Sequence, residues 1–178
     1  MHRRCLGNVP LPADGAGRRA RAPRGSYGRQ VAGGEPRTPA APARPRPPRW
    51  DVVDHALARR RLLHDLRSGR VGEAEACDAS PYLQRAAAEW GRRTTTPCPV
   101  CRRDPVWEIA WVYGDALGDG DGTARSARGV ELLARARPEF TVYDVEVCQR
   151  CGWNHLLRTY RTGTAGTSPA RRSRERTP

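Results

Sequence analysis

The sequence predicts an α+β fold: a small antiparallel sheet with an inserted helix, preceded by two helices and flanked by disordered tails. Three observations predict this class. Amphipathic helical patterns with start and stop residues come first along the chain, and alternating apolar patterns typical of strands follow them. Two Cys-x-x-C pairs stand beside the predicted strands. Most of the net charge of +13 lies near the two ends of the chain.

The charged ends define the predicted domain boundaries. All 32 basic residues are arginines, and residues 1–49 hold 11 of them against two acids, a net +9, together with nine of the 16 prolines. Residues 162–178 hold four arginines against one acid, a net +3. Neither stretch has enough large apolar residues to offset the entropy lost on ordering. We therefore predict disordered Arg/Pro-rich tails at 1–49 and 162–178, and one domain over 50–161 with a net charge of +1.

Two helices are predicted before the sheet. The segment Asp51–Ser68 has an apolar face, acids in its first turn and arginines late, as the helix dipole favours, and Gly69 follows as a stop signal. The second helix is Pro81–Trp90, with Ser80 as its N-cap and Gly91 behind it.

The apolar period then changes to that of strands. Val106–Tyr113 and Phe140–Val147 alternate, and Trp153–Arg161 is a third candidate. Ser126–Arg137, which Pro138 ends, has helical spacing and lies between the first two strands. These segments predict three strands with one inserted helix.

The strongest chemical signal is the presence of two Cys-x-x-C pairs in one domain. Each pair forms a tight turn that can present two sulfurs to one metal ion, and two such turns complete the tetrahedral four-sulfur shell that Zn²⁺ prefers. The 46 residues between the pairs include the inserted helix, so the sheet is predicted to be zinc-ribbon-like. The predicted ligands of a single Zn²⁺ are Cys98, Cys101, Cys148 and Cys151.

The predicted metal ion is structural rather than catalytic. Four thiolate ligands leave no position for water or substrate. A redox Cys-x-x-C would open a helix in a βαβ unit, whereas these pairs adjoin strands. The sequence contains no Walker motif, Rossmann fingerprint, nucleophile elbow or His-Glu-x-x-His motif. We therefore expect no enzymatic activity and name no catalytic residue.

Two further side chains have two interpretations each. His155, four residues after Cys151, could hydrogen-bond a metal-bound thiolate, but a partly buried strand histidine is an equally good interpretation. Cys77 is most simply a small buried apolar residue, and an extra ligand or a reactive thiol is the alternative.

Several separated blocks of the sequence carry a family resemblance. They are Asp51–Asp54 (DVVD), Cys77–Leu83 (CDASPYL), Cys98–Cys101 (CPVC), Trp111–Asp115 (WVYGD), Val145–Cys148 (VEVC) and Cys151–His155 (CGWNH). Together they resemble an uncharacterised actinobacterial family, the domain-of-unknown-function family numbered 5318, over about residues 50–163. The resemblance implies a gene beside that of a bifunctional penicillin-binding protein, hence a link to cell-envelope synthesis. It implies no activity and no catalytic residue.

The sequence as a whole predicts a non-enzymatic zinc-binding interaction module, a cytoplasmic factor that binds a protein or regulates one. No apolar run is long enough for a transmembrane span or a secretory signal. In the cytosol, six cysteines indicate metal ligands or free thiols rather than disulfides. The alternative is a nucleic-acid-binding zinc ribbon whose arginine-rich tails contact phosphates. No small-molecule substrate is evident from the sequence.

Overall fold

A computed structural model describes residues 45–167, and the remaining parts of the predicted tails lie outside these described residues. The strands are β1 (Arg49–Asp54), β2 (Arg92–Pro97), β3 (Pro105–Tyr113), β4 (Thr123–Arg125), β5 (Phe140–Val147) and β6 (Asn154–Thr162). The α-helices are α1 (Ala56–Arg67), α2 (Glu73–Ala76), α3 (Pro81–Trp90) and α4 (Ala127–Ala136). Short 3-10 helices cover Asp115–Gly120 and Thr164–Thr167. The predicted class, helices with an antiparallel sheet, is confirmed.

All six strands form one antiparallel sheet in the order β1-β6-β5-β3-β2, and β4 pairs with β3. The register of β3 against β5 runs from Trp107 opposite Val147 to Tyr113 opposite Thr141. The turn before β3 and the turn after β5 therefore lie at the same end of the sheet. This register brings the two cysteine pairs together.

The sheet is covered on both faces, so β3 is buried at even and odd positions. Helix α3 packs on the face that carries Ile109 and Trp111. Helix α4 packs on the opposite face, around Val112 and Val142. Two different cores thus meet at the central strands, and strands that are buried on both faces are expected to be rich in apolar residues.

The later elements lie within one residue of their predicted bounds. Helix α3 begins after Ser80, whose side chain accepts a hydrogen bond from the amide of Leu83. Helix α4 begins after Ser126, whose side chain accepts from the amide of Gly129. Both caps satisfy a backbone donor that the first helical turn leaves unpaired.

The prediction of a helix over Asp51–Ser68 is wrong at its start. Residues Arg49–Asp54 instead form the edge strand β1 against β6, and the helix begins at Ala56. The strand has an irregularity between Trp50 and Val53, in which Asp51 takes a φ of 51°. Pairing with a strand about a hundred residues away overrides the local helical pattern, because strand formation depends on tertiary context.

The short elements α2, β2 and β4 and the two 3-10 helices were not predicted. Strand β2 consists of arginines, threonines and a proline, and most of its side chains are exposed. It lies at the edge of the sheet, where no apolar face is needed, so no alternation of apolar residues marks it in the sequence.

The ends of the described fold meet on the sheet. Arg49 in β1 lies opposite Thr162 in β6, and the Thr162 hydroxyl donates a hydrogen bond to the carbonyl of Pro48 over 2.8 Å. Among the described residues, no helix combines the length and apolar character needed to cross a membrane.

Candidate metal centre

Two turns at one end of the sheet carry the four predicted ligands. Cys98 and Cys101 lie between β2 and β3, and Cys148 and Cys151 lie between β5 and β6. Because β3 and β5 are neighbours in register, the turns face each other, and the structure brings all four residues together.

The four sulfur atoms form a compact group. All four Sγ atoms lie within 4.8 Å of one another. The Sγ atoms of Cys98 and Cys151 are 3.6 Å apart, and those of Cys101 and Cys148 are 3.7 Å apart. A disulfide needs an S–S distance of about 2.05 Å. The cysteines are free thiols arranged so that one metal ion could contact all of them.

The two turns repeat the same backbone geometry. The amide of Arg102 donates to the carbonyl of Cys98 over 3.0 Å, and the amide of Gly152 donates to the carbonyl of Cys148 over 3.1 Å. Arg102 and Gly152, which follow the second cysteine of each pair, both have positive φ, 54° and 79°. Two matching turns of this kind give a symmetric arrangement of four sulfurs from unrelated parts of the chain.

Glycine is needed at position 152 for a second reason. A Cβ atom there would lie 2.8 Å from the carbonyl oxygen of Cys77. The amide of Ala79 also donates to the Gly152 carbonyl over 2.9 Å. The segment after α2 is therefore fixed against the second cysteine turn.

The thiols in this group have shifted pKa values. Burial raises the pKa of Cys98, and it raises the pKa of Cys151 to about 12. Burial disfavours the Cys101 thiolate as well, but hydrogen bonds from the backbone of Arg103 and Asp104 and from the thiols of Cys148 and Cys98 outweigh it, so the pKa of Cys101 is lowered to about 7. Buried thiols favour the neutral form unless a cation compensates the thiolate charge. A metal ion supplies that compensation, since a coordinated thiol loses its proton.

Apolar side chains from the first two helices cover the cysteine group. Leu63 of α1, Ala76 of α2 and Trp153 pack with Cys98 and Cys148. The first helix is thus part of the same core as the cysteine turns. This packing could not be judged from the sequence, because α1 and the second turn are separated by more than 80 residues.

A buried charged network beside the turns was missed by sequence reasoning. Glu146 is only 4% exposed, and its carboxylate accepts from the Arg59 guanidinium at 2.6 and 3.1 Å. The indole N–H of Trp153 donates to the same carboxylate over 2.8 Å. Glu146 lies on the face of β5 opposite Val145 and Val147, and the strand pattern by itself gives no sign that an acid at this position is buried. Helix α1 covers that end of the face and buries it.

His155 occupies a buried position on β6. Its Nδ1 donates to the carbonyl of Leu156 over 2.6 Å, and its ring stacks on Trp153 with centroids 6.0 Å apart. Burial lowers the pKa of His155. These contacts fit the interpretation as a buried strand histidine. It is not in the group of four sulfurs.

Cys77 lies next to the cysteine group, outside the set of four close sulfurs. It packs against the same apolar cluster, and its side chain hydrogen-bonds Cys151. Burial raises its pKa. The sequence interpretation of Cys77 as a small buried apolar residue fits this position, and its hydrogen bond with Cys151 was not foreseen.

The fold and the site together define the class of protein. It is a mixed helix and antiparallel-sheet protein in which two Cys-x-x-C turns bring four sulfurs together at one end of the sheet. The chain belongs to the Family of unknown function (DUF5318), whose family model matches residues 47–176. The family resemblance noted from the sequence blocks is confirmed.

Mycobacterial proteins are similar to this chain. The uncharacterised protein Rv0049 of Mycobacterium tuberculosis is 46% identical over 119 residues, which is 67% of this chain and 85% of that protein. The uncharacterised protein Mb0050 of Mycobacterium bovis matches to the same extent. No solved structure matches the chain.

Proposed function

We propose that the chain is a non-enzymatic interaction module whose fold is stabilised by one structural Zn²⁺. The observation that carries the metal assignment is the spacing of the sulfurs. A tetrahedral site with Zn–S bonds of about 2.3 Å has S–S edges of about 3.8 Å. The pairs at 3.6 and 3.7 Å are close to that edge length.

A closed shell of four thiolates supports a structural role for the metal. Cys98, Cys101, Cys148 and Cys151 would fill all four positions of a tetrahedral Zn²⁺, so no position is left for substrate. The binding free energy of such a metal becomes part of the folding free energy. The thiol ligands favour a reducing compartment, and we propose the cytoplasm.

A protein partner fits the surface of the domain better than a nucleic acid does. Residues 50–161 carry a net charge of +1, and four thiolates with Zn²⁺ would change that to about −1. Three large apolar side chains near one another in the sequence are exposed. They are Val52 and Val53 of the edge strand β1 and Leu57 at the start of α1. The family resemblance suggests cell-envelope synthesis as the process that the partner serves.

Metal analysis of the purified full chain tests the zinc proposal. We expect about one zinc per chain in the native protein. Replacing Cys148→Ser should abolish stoichiometric zinc and unfold the end of the sheet around Trp153, because the ligand set becomes incomplete. The readouts are elemental analysis and the near-ultraviolet circular dichroism of the tryptophans.

Cys77→Ser is the matched control, since it removes a neighbouring thiol outside the close set of four. It should keep about one zinc per chain. A native protein that folds without metal would contradict the structural role, and equal zinc loss in both variants would contradict the assignment of ligands.

Nucleic-acid binding is the second candidate function, and the arginine-rich ends favour it. Residues 1–49 carry +9 and residues 162–178 carry +3. Such segments bind phosphates with little sequence preference and with a strong dependence on salt. Removing residues 1–44 and 168–178 should then abolish oligonucleotide binding. If the shortened chain, shown to be folded by circular dichroism, binds with an unchanged salt dependence, the protein-binding proposal is wrong.

A further inference from the structure

We propose that an arginine-lined cleft on the face of the sheet covered by α4 binds a phosphorylated small molecule. The cleft has a volume of about 400 Å³. Small-molecule sites in proteins commonly have volumes of about 300–1,000 Å³. None of the five cysteines within residues 45–167 lines this cleft, so the cleft is separate from the metal centre, and the inference goes beyond the function proposed above.

The strand register shows why a cleft opens at this place. Ala110 of β3 lies opposite Asp144 of β5, which lies opposite Arg158 of β6. On the same face, α1 reaches the sheet at Glu146 and α4 packs on Val142. Each of these contacts is two residues from Asp144 along β5. The floor of the cleft is therefore the row formed by Ala110, Asp144 and Arg158, which lies between the two helices.

Arginines from four strands reach this cleft. Strand alternation places one arginine each of β1, β2, β4 and β6 on the same face, and a fifth precedes β1. These residues are Arg46, Arg49, Arg92, Arg125 and Arg158. Because like charges repel, five arginines around one cleft favour a bound anion.

The carboxylates of the cleft leave part of this charge uncompensated. Three carboxylates line the cleft, and each has an arginine partner. The pairs are Arg92–Glu108 (2.6 Å), Arg158–Asp144 (2.8 Å) and Glu131–Arg135 (3.8 Å). Within residues 45–167, Arg46, Arg49 and Arg125 have no carboxylate partner. The guanidinium carbon of Arg49 lies 4.3 Å from the centroid of the Tyr160 ring. Both residues line the cleft, so this contact holds the Arg49 guanidinium there.

The N-terminus of α4 adds positive potential. Ala127, the first residue of this ten-residue helix, lines the cleft. A helix N-terminus carries a partial positive charge and unpaired amide groups that suit a phosphate. Arg125 stands two residues before it, half-buried, with its guanidinium donating to the carbonyl of Ala124 over 3.4 Å. Arg125 is thus held between the strand and the helix.

A phosphate ester fits this set of groups. Guanidinium groups bind phosphate oxygens in bidentate fashion, and the five arginines and three carboxylates of the lining give a net charge of +2, which matches a dianion. The carboxylates of Glu108 and Asp144 retain acceptor positions for hydroxyl groups on the rest of the molecule. The cleft therefore suits a polar phosphorylated compound, such as a sugar phosphate, rather than an apolar ligand.

Isothermal titration calorimetry on the full chain tests this proposal with defined probes. Glucose 6-phosphate and pyrophosphate should bind at millimolar concentrations or below, and glucose should not. Arg125→Gln should weaken binding of both phosphorylated probes by about tenfold, equivalent to about 1.4 kcal/mol. Arg46→Gln should also weaken binding of both phosphorylated probes, and it should not affect folding because Arg46 is exposed.

Arg85→Gln is the control, because it removes the same charge from an exposed position on α3, across the sheet. It should change affinity by less than about twofold, as expected for a charge screened by solvent and salt. No binding of either phosphorylated probe by the wild type, or equal losses in the Arg85 and Arg125 variants, would overturn the proposal. A single-stranded oligonucleotide that binds more tightly than both probes, with the same dependence on Arg125, would overturn it in favour of nucleic acid.

Discussion

The two ends of the sheet are stabilised by different chemistry. At the end with the cysteine turns, four sulfurs share a small apolar cluster with Leu63 and Trp153, and a buried ion pair lies beside them. At the other end, under α4, the core is built from apolar and aromatic side chains such as Val142, Phe140 and Tyr160. The four sulfurs of the first end could hold a metal ion, which would compensate their charge as thiolates, whereas the second end is stabilised by apolar packing.

Because of this difference, substitutions at the two ends of the sheet should affect stability in different ways. A structural metal adds its binding free energy to folding only while all ligands are present. A packed apolar core loses stability in proportion to the volume removed. Substitutions in the apolar core under α4 should therefore lower the free energy of unfolding without changing the metal content of the cysteine end.

The largest loss in the free energy of unfolding is expected for Phe140→Ala, in the core under α4. Phe140 is 2% exposed, and truncation of a buried phenylalanine costs about 3–5 kcal/mol. Chemical denaturation should show this loss, while the zinc content of the folded protein stays at about one per chain. Loss of zinc under conditions where the variant is folded would show that the two ends are not separable.

Glu146→Gln is expected to have an intermediate effect at the cysteine end. The amide keeps an acceptor for the Trp153 indole but leaves the charge of Arg59 uncompensated. Breaking a buried ion pair costs about 3–5 kcal/mol, and because the Arg59 side chain is 24% exposed we expect about 2–3 kcal/mol. Urea denaturation measures the loss.

The matched control is Glu108→Gln, which removes the partner of Arg92 at a more exposed site. It should cost less than about 1 kcal/mol. If the Glu146 and Glu108 variants lose the same stability, burial by α1 contributes nothing to the strength of the first pair.

The smallest effect expected is the acid dependence that His155 contributes. Burial lowers its pKa in the folded state, so the unfolded chain binds the proton more readily. Stability should therefore fall as the pH drops through the unfolded value of about 6.5. His155→Gln should reduce this slope between pH 7.5 and 5.5, measured by denaturant titration at each pH. An equal slope in wild type and variant would exclude a contribution from His155.

The sequence by itself determined the local features. Helix α3 with its Ser80 cap, the alternation of Phe140–Val147 and the turn within each single cysteine pair depend on residues within about ten positions of one another, and the structure contains all three. The family could also be identified from the sequence, because each block that carries the resemblance is a short uninterrupted stretch of residues.

Only the tertiary structure decided the features that join distant segments. Arg49–Asp54 forms a strand because β6 pairs with it, and Glu146 is buried because α1 covers it. The arginine cleft exists because four strands place a side chain on one face, an arrangement set by sheet order and register. The physical reason is that helix caps and Cys-x-x-C turns are stabilised by near neighbours, whereas strand pairing and burial are stabilised by residues far apart in the chain.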